Sequence, residues 1–456
     1  MGENSGITRE YGATEAVPPE GRPLGFLDMV TTWIGANANN GTWYVGGVVA
    51  GAAFSGAFLV TVVANPIAYL VMALIGFMGF RCGISTMALT RLTFGARGSA
   101  IPSILNSAQF IGWTAVNTFI AAISISFLLK DIFLWPSYGE PGGQRTMLLG
   151  IALMSILHFI SVLTGHRSVK ICERIGVALI LVLGLWETLA VFRHVSFEEI
   201  MRWRPPAEKV MPLGKAMDAM AAFSLGWVPA IAEFTRYSRT KAAATIAPMI
   251  GANVALFWFA FVGIIGAIST AITSGVYDPN NSDPSTIVSR LGLGVIAFLV
   301  IIITSTTANA VNLMAAGISL TNIAGRMMPL RAIWAVTIIS AAVTVIPLYL
   351  TSFLSAFIIF LDYIGLLFGP LFAVMIVDYF IIREGHRGKA TALEATATHE
   401  DLAIPCWAAG LAIYFLIRTI PAVSSFTGAI YPTMALTGIL YFLVGKTRKK
   451  RGTFHE

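Results

Sequence analysis

Apolar runs of 18 or more residues recur along nearly the whole 456-residue chain. About 20 helical residues cross a bilayer core, so each run is long enough to span it. The runs predict twelve membrane helices, beginning near residues 25, 55, 98, 145, 168, 211, 242, 293, 329, 352, 402 and 427. The ten-residue alternation of polar and apolar positions that marks a membrane barrel does not occur. The expected fold is an all-α integral membrane protein.

Two runs are interrupted where a spanning helix should be purely apolar. The first carries Gly35, Asn37, Asn39, Asn40 and Gly41, and the second carries Ser224, Gly226 and Pro229. A broken helix in a bilayer strands backbone polar groups, which is tolerated only where they are buried in protein or line a wet cavity. Such a pair in matching places of two halves points to a transporter's binding site. The polar interruptions keep a regular spacing, 191 residues from Gly35 to Gly226 and 192 from Asn117 to Asn309. That spacing fits a five-helix unit used twice, and an odd number of spans turns the second copy upside down. The expected organisation is a disordered cytoplasmic tail over 1–24 and a single transmembrane domain over 25–446. That domain divides into repeat one about 25–193, repeat two about 211–383 and extra helices about 402–446. A basic cytoplasmic tail over 447–456 completes the chain.

Composition supports the membrane reading, with 56% hydrophobic and 12% charged residues and a mean hydropathy of +0.76. No charged start with a short apolar run and a small-residue cleavage site is seen, so a cleaved signal peptide is not expected. Cys82, Cys172 and Cys406 lie apart and have no metal-ligand spacing. The net charge of +7 is spread over loops, which argues against nucleic acid as a partner. Counted on alternate sides of the twelve spans, 21 of the 30 Lys and Arg residues fall on the side of the N-terminus. Short cytoplasmic loops carry such an excess, so both termini are expected in the cytoplasm and the protein in the cell inner (plasma) membrane. The basic stretch from Lys446 to Arg451 also suits contact with anionic lipid.

Three places could carry chemistry. In span three, Gln109, Trp113 and Asn117 are four apart and share one helix face. An indole between two amides can stack on and edge-bond a flat heterocycle, although membrane amides also join helices. In span six, Trp227 follows Gly226 inside the second interruption, so two indoles could sandwich a ring; equally, Gly226 and Pro229 could simply kink a helix. In span eight, Thr304, Ser305, Thr306 and Thr307 precede Asn309 and Asn312. Their hydroxyls suit a small hard cation, or bond back to the helix itself. Asp28, Glu187, Asp218, Glu233, Asp362 and Asp378 are the carboxylates that could bind or relay protons. Glu233 and Arg236 read as an ion pair or gate near a helix end. The six histidines lie mostly in loops and tails, so a metal site is not expected, and no nucleophile stands beside an evident base.

Taken together, these segments resemble the nucleobase-cation-symport family, whose members include cytosine permease, the bacterial hydantoin transporter and fungal purine-cytosine permeases. The likeness rests on Gly35 to Gly47, Leu92 to Gly98, Gly112-Trp113, Glu233 to Tyr237 and Asp378-Tyr379, and covers essentially all twelve spans. It implies a LeuT-like five-plus-five inverted repeat with two extra C-terminal helices and a substrate held between a bundle and a scaffold. By resemblance, Trp113, Asn117, Trp227 and either Asn309 or Asn312 contact substrate; the residues themselves add the freed backbone of Gly226, with Gln109 and Asn39, as further substrate contacts. The resemblance likewise places sodium on Gly35, Ala38, Thr306 and Thr307. The second break looks closer to the hydantoin pattern, whereas Asn117 looks closer to the purine-cytosine branch.

The expectation is a sodium symporter importing cytosine or a purine by alternating access, with no cofactor beyond the coupling Na+ and no obligatory protein partner. The rivals are a proton-coupled symporter of allantoin, hydantoin or a vitamin precursor, a membrane-embedded enzyme, and a channel.

Overall fold

In the computed structural model, residues 14–163, 166–323, 329–350, 352–383 and 400–450 are described. Helices dominate: α1 (Phe26–Asn37), α2 (Asn40–Val49), α3 (Ala53–Cys82), α4 (Thr86–Gly98), α5 (Ala100–Phe133), α6 (Gly143–Leu163), α7 (His166–His194), α8 (Phe197–Arg202) and α9 (Leu213–Leu225) fill the first half. The second holds α10 (Ile231–Thr235), α11 (Lys241–Ser274), α12 (Pro284–Arg290), α13 (Gly294–Ile323), α14 (Pro329–Tyr349), α15 (Phe353–Ile376), α16 (Glu400–Arg418), α17 (Pro421–Ser424) and α18 (Ile430–Lys450). A helix starts within a few residues of each predicted position. Among the described residues, seven helices are long and apolar enough to cross a membrane by length and composition. The 34 residues of α5 and of α11 extend about 51 Å each. Large apolar side chains such as Leu70, Ile156, Val182, Val254 and Ile338 face outward, as a lipid-facing surface requires.

Two sets of helices flank a common centre. In one, α1, α2 and α3 pack on α11, with α9 and α10 against α3; in the other, α13 runs along α5, joined by α6 and α14. Close approach in the first set depends on missing side chains. A Cβ on Gly263 of α11 would stand 2.0 Å from the Trp43 carbonyl oxygen, and one on Gly251 would stand 2.3 Å from that of Val30. Any larger residue at either position would push α1 and α2 off α11. The C-terminal helices attach through carboxylates. Asp218 of α9 accepts from the amides of Ala429 and Ile430 at 2.8 to 2.9 Å, capping the start of α18. Asp378 accepts from Thr93 and Tyr441 and pairs with Arg383 at 3.0 Å. These two candidate proton carriers are thus structural ties.

One boundary differs from expectation. Residues 1–13 lie outside the described set, but 14–24 are docked rather than a disordered tail. Val17 is buried and donates its amide to the Gly83 carbonyl, while Arg22 donates to the carbonyls of Phe80 and Val17. The last carbonyls of a helix have no intrahelical donor, and Arg22 supplies one at the end of α3. At the other end, α18 continues to Lys450, into the expected basic tail.

Candidate functional site

The first interruption is a true break. After Asn37 the chain turns through Ala38 (φ −80°, ψ 78°) and an extended Asn39 before α2 begins. Its asparagines each close a different gap. Asn39 Oδ1 accepts from the Thr42 amide at 3.0 Å, an N-cap for α2, and its Nδ2 donates to the Ala36 carbonyl at 2.7 Å. Asn37 donates to the Trp33 carbonyl and accepts from Tyr69. Asn40 reaches across to α13, donating to the Ile301 carbonyl, Thr304 Oγ1 and Ser305 Oγ.

The second interruption is more compact. Gly226, Trp227 and the 3-10 turn Val228–Ala230 keep right-handed backbone angles, so α9 passes into α10 through a tightened turn. Pro229 has no amide to donate, and the Ala232 amide is met by Thr86 Oγ1 of α4 at 3.0 Å. The Gly226 carbonyl, expected to be free for substrate, accepts from Gln109 Nε2 at 3.2 Å.

Between the two helix sets lies a cavity of about 300 Å³. Its wall includes Gly35, Ala38, Asn39, Trp113, Asn117, Gly226, Trp227, Thr307 and Asn312, nine of the twelve residues named from the sequence. Three fall outside it. Gln109 is buried behind the break, bonded to Asn106 and Gly226. Asn309 is fully buried on the far side of α13, bonded to the Thr114 carbonyl. Thr306 turns away and bonds back to the Ile302 carbonyl at 2.8 Å, because successive helical residues point about 100° apart. Asn39 lines the cavity, yet both its polar atoms are used in the break.

Trp113 from α5 and Trp227 from the turn after α9 face one space without stacking on each other. Trp113 meets Phe223 and Phe360 edge to face, with centroids 5.1 and 4.9 Å apart, and Trp227 meets Trp33 at 6.1 Å and 87°. Trp33 and Phe223 also line the cavity and were missed. Their signal was helical spacing, Phe223 lying four residues before Trp227 and Trp33 four before Asn37. A second omission is His158, buried in α6, with Nδ1 3.3 Å from Thr118 Oγ1 and 3.2 Å from Asn309 Nδ2.

On one side the cavity runs past Thr32, Ser85, Met87, Glu233 and Arg236, near the helix ends that share the N-terminal side. Toward the other side, Tyr44 stacks on Phe353 at 4.9 Å, Phe353 on Phe119 at 4.2 Å, and Tyr44 tilts against Phe357 at 4.6 Å. Glu233 accepts from the Thr86 amide at 3.3 Å. Outside the spans, Glu140 is held near about 2, first by its hydrogen bond from Lys130 and then by those from Ser137.

A hard-cation site at the first break can be tested on donors. In an unbroken helix the Asn39 amide would bond the Gly35 carbonyl and the Thr42 amide that of Ala38. Here the Asn39 amide goes to the Asn37 carbonyl at 3.1 Å and the Thr42 amide to Asn39 Oδ1. Both carbonyls are thereby released from their helical donors. Thr307 Oγ1 spends its proton on the Thr304 carbonyl at 3.0 Å, leaving lone pairs at the same wall. Gly176 and Val177 of α7 pack against Thr307 and Gly35 respectively. By donor chemistry, the released Gly35 and Ala38 carbonyls and Thr307 Oγ1 would suit a small hard cation, whereas Thr306 does not line the same wall.

Comparison with known proteins agrees with this architecture. Residues 16–445 match the family described as permease for cytosine/purines, uracil, thiamine, allantoin. The allantoin permease of Bacillus subtilis is 25% identical over 379 residues, covering 78% of this chain and 76% of its own. The cytosine permease of Escherichia coli O157:H7 is 23% identical over 390 residues, covering 84% and 85%. The inward-facing structure of Mhp1 superposes with a TM-score of 0.77 at 16% identity, covering 100% of this chain and 97% of that one. Mhp1 in a closed conformation with bromovinylhydantoin bound, described as a nucleobase-cation-symport-1 family transporter, gives 0.73 at 16% identity and 98% coverage of both chains. With the family matched over nearly its whole length and the fold shared with Mhp1, the chain belongs to the nucleobase-cation-symport family and is a multi-pass membrane transporter, not an enzyme.

Proposed function

We propose that the protein imports a planar, nucleobase-like heterocycle, cytosine or a purine, by sodium symport. The observation that carries this reading is the cavity itself. Two indoles, one on α5 and one in the turn between α9 and α10, border a space large enough for one or two fused rings, and the buried Asn117 Oδ1 beside them has no hydrogen-bond partner. A flat heterocycle would stack on the indoles and satisfy that oxygen. Its relatives named for cytosine, purine-uracil and allantoin transport support the same ligand class.

Coupling follows from where the cation would sit. Held by the Gly35 and Ala38 carbonyls and Thr307 Oγ1, it would join the α1–α2 break to α13 and stabilise the state in which that seam is closed. An ion that binds one state more tightly shifts the population toward it. The twelve helices would form a five-plus-five inverted repeat with two added at the C-terminus, and both ends would be cytoplasmic. The aromatic layer of Tyr44, Phe119, Phe353 and Phe357 would then seal the outer side while the cavity reaches toward the cytoplasm.

A proton-coupled reading retains one observation: both oxygens of Glu187, fully buried in α7, have no hydrogen-bond partner. Competition against uptake of radiolabelled cytosine by cells expressing the protein, with purines, uracil, allantoin and hydantoin as competitors, tests the substrate. Inhibition by one of these in the micromolar range is expected, and no uptake or competition by any of them would refute the ligand class.

A further inference from the structure

We infer that Asn309 is a positioning residue that fixes the hydrogen-bond polarity of the cavity, so that the site selects heterocycles presenting N–H donors to α5 and α13. This rests on the substrate reading above and specifies which edge of the ring is read.

One atom at Asn309 has a role that is not open to choice. A backbone carbonyl only accepts, and Asn309 stands 3.0 Å from the Thr114 carbonyl, so the atom facing it is the amide nitrogen. Thr118 Oγ1 gives its own proton to the same carbonyl at 2.7 Å, which turns a lone pair toward Asn309 Nδ2 at 3.2 Å. His158 Nδ1 also lies 3.2 Å from that nitrogen and 3.3 Å from Thr118 Oγ1, with roles that depend on its tautomer. Asn309 is fully buried, and the Thr114 carbonyl and Thr118 Oγ1, one for each amide hydrogen, hold it in a single orientation.

Its Oδ1 consequently faces the opposite way, where it accepts from Asn117 Nδ2 at 3.2 Å and Asn312 Nδ2 at 3.1 Å. An acceptor-only oxygen admits only nitrogens, so both neighbours must turn their Oδ1 atoms away from it, and both line the cavity. For Asn117 the consequence is visible, since its Oδ1 is buried and unpartnered. A second chain repeats the pattern. Behind the cavity wall, the Gly226 carbonyl fixes Gln109 Nε2, and Gln109 Oε1 is likewise buried without a partner. The Thr114 carbonyl thus orients Asn309 and, through it, the two wall amides Asn117 and Asn312, each able to donate or accept, so that this part of the wall is biased toward accepting. A ring oxygen or unprotonated ring nitrogen placed there would face another oxygen and leave Asn117 Oδ1 unsatisfied. That would weaken binding by about 5- to 150-fold.

The test compares isosteres that differ in one ring atom, hydantoin with oxazolidinedione and uracil with oxauracil, by titration calorimetry on the purified full-length protein. The wild type is expected to bind at least one N–H parent about tenfold or more tighter than its oxa partner. In Asn309→Leu the two amides lose their common acceptor and can rotate, so the ratio should fall below about threefold. His158→Phe leaves the Thr114 anchor in place and should keep the wild-type ratio. Equal affinity of each parent and its oxa partner in the wild type overturns the inference, a comparison that needs no variant to fold. A full ratio surviving in Asn309→Leu removes the positioning role. Binding of no heterocycle at all would instead refute the substrate reading, and this inference with it.

Discussion

Replacing Trp227 by Ala is the sharpest perturbation of the stacking site. The indole lies in the cavity wall just after Gly226, half-buried, with its main aromatic neighbour Trp33 set edge-on at 6.1 Å. Truncation removes two separable quantities. Loss of the edge-to-face pair costs about 0.5 to 1.5 kcal/mol of stability. Loss of a stacking face for a base-like ring costs about 1 to 3 kcal/mol of binding, a rise in KM of roughly 5- to 150-fold. The stability term is too small to empty the membrane of protein, so a surface-abundance measurement separates the two. Trp227→Phe retains a ring face and should stay within about fivefold of wild type. The assay is initial-rate uptake against substrate concentration, normalised to protein in the membrane. A wild-type KM in Trp227→Ala at normal abundance would refute the assignment of Trp227 to the site.

Three further expectations follow from named contacts. Thr307→Val should abolish stimulation of uptake by sodium, whereas Thr306→Val, whose hydroxyl is engaged by Ile302, should retain it; the reverse order in a sodium titration would contradict the proposed ligands. Asn39→Ala removes the cap of α2 and the tie to Ala36, and should destabilise the protein by about 1 kcal/mol in a detergent melt. For Glu140, held at about 2 against an ordinary 4.5, the Lys130 and Ser137 contacts are fully present above pH 4.5 and are lost only as pH falls through the folded value. Glu140→Gln should therefore leave the shape of the uptake profile between pH 5 and 8 unchanged, and a flattened profile would show that this loop senses protons.

The helix starts and the first break were legible because their signals are local. Long apolar runs fix span positions, and Asn37, Asn39 and Asn40 have the side chains that replace lost helical bonds. Trp113, Asn117 and Trp227 were singled out because an aromatic or amide inside an apolar run needs a reason, and all three lie in the cavity wall. What stayed hidden was rotation and partnership. Thr306 and Thr307 are adjacent, and only the packing of α13 on α5 and α7 decides which hydroxyl faces the break. Asn309 and Asn312 differ the same way, the first turned to Thr114 and the second to the cavity. Gln109 read as a substrate contact because nothing local reveals that the Gly226 carbonyl lies within its reach. His158 went unnoticed among histidines read as loop residues, although a lone imidazole in the apolar run of α6 was a usable signal. The docking of residues 14–24 depends on the end of α3, some 60 residues away in sequence, and no local pattern encodes it.

Most direct for the central claim is heterocycle uptake into proteoliposomes of the purified protein under an imposed inward sodium gradient, with choline replacing sodium at equal ionic strength. Concentrative uptake of a nucleobase-like ring is expected with sodium and little without it, and is lost in Thr307→Val. Equal uptake in choline, driven instead by an imposed proton gradient, would contradict sodium coupling.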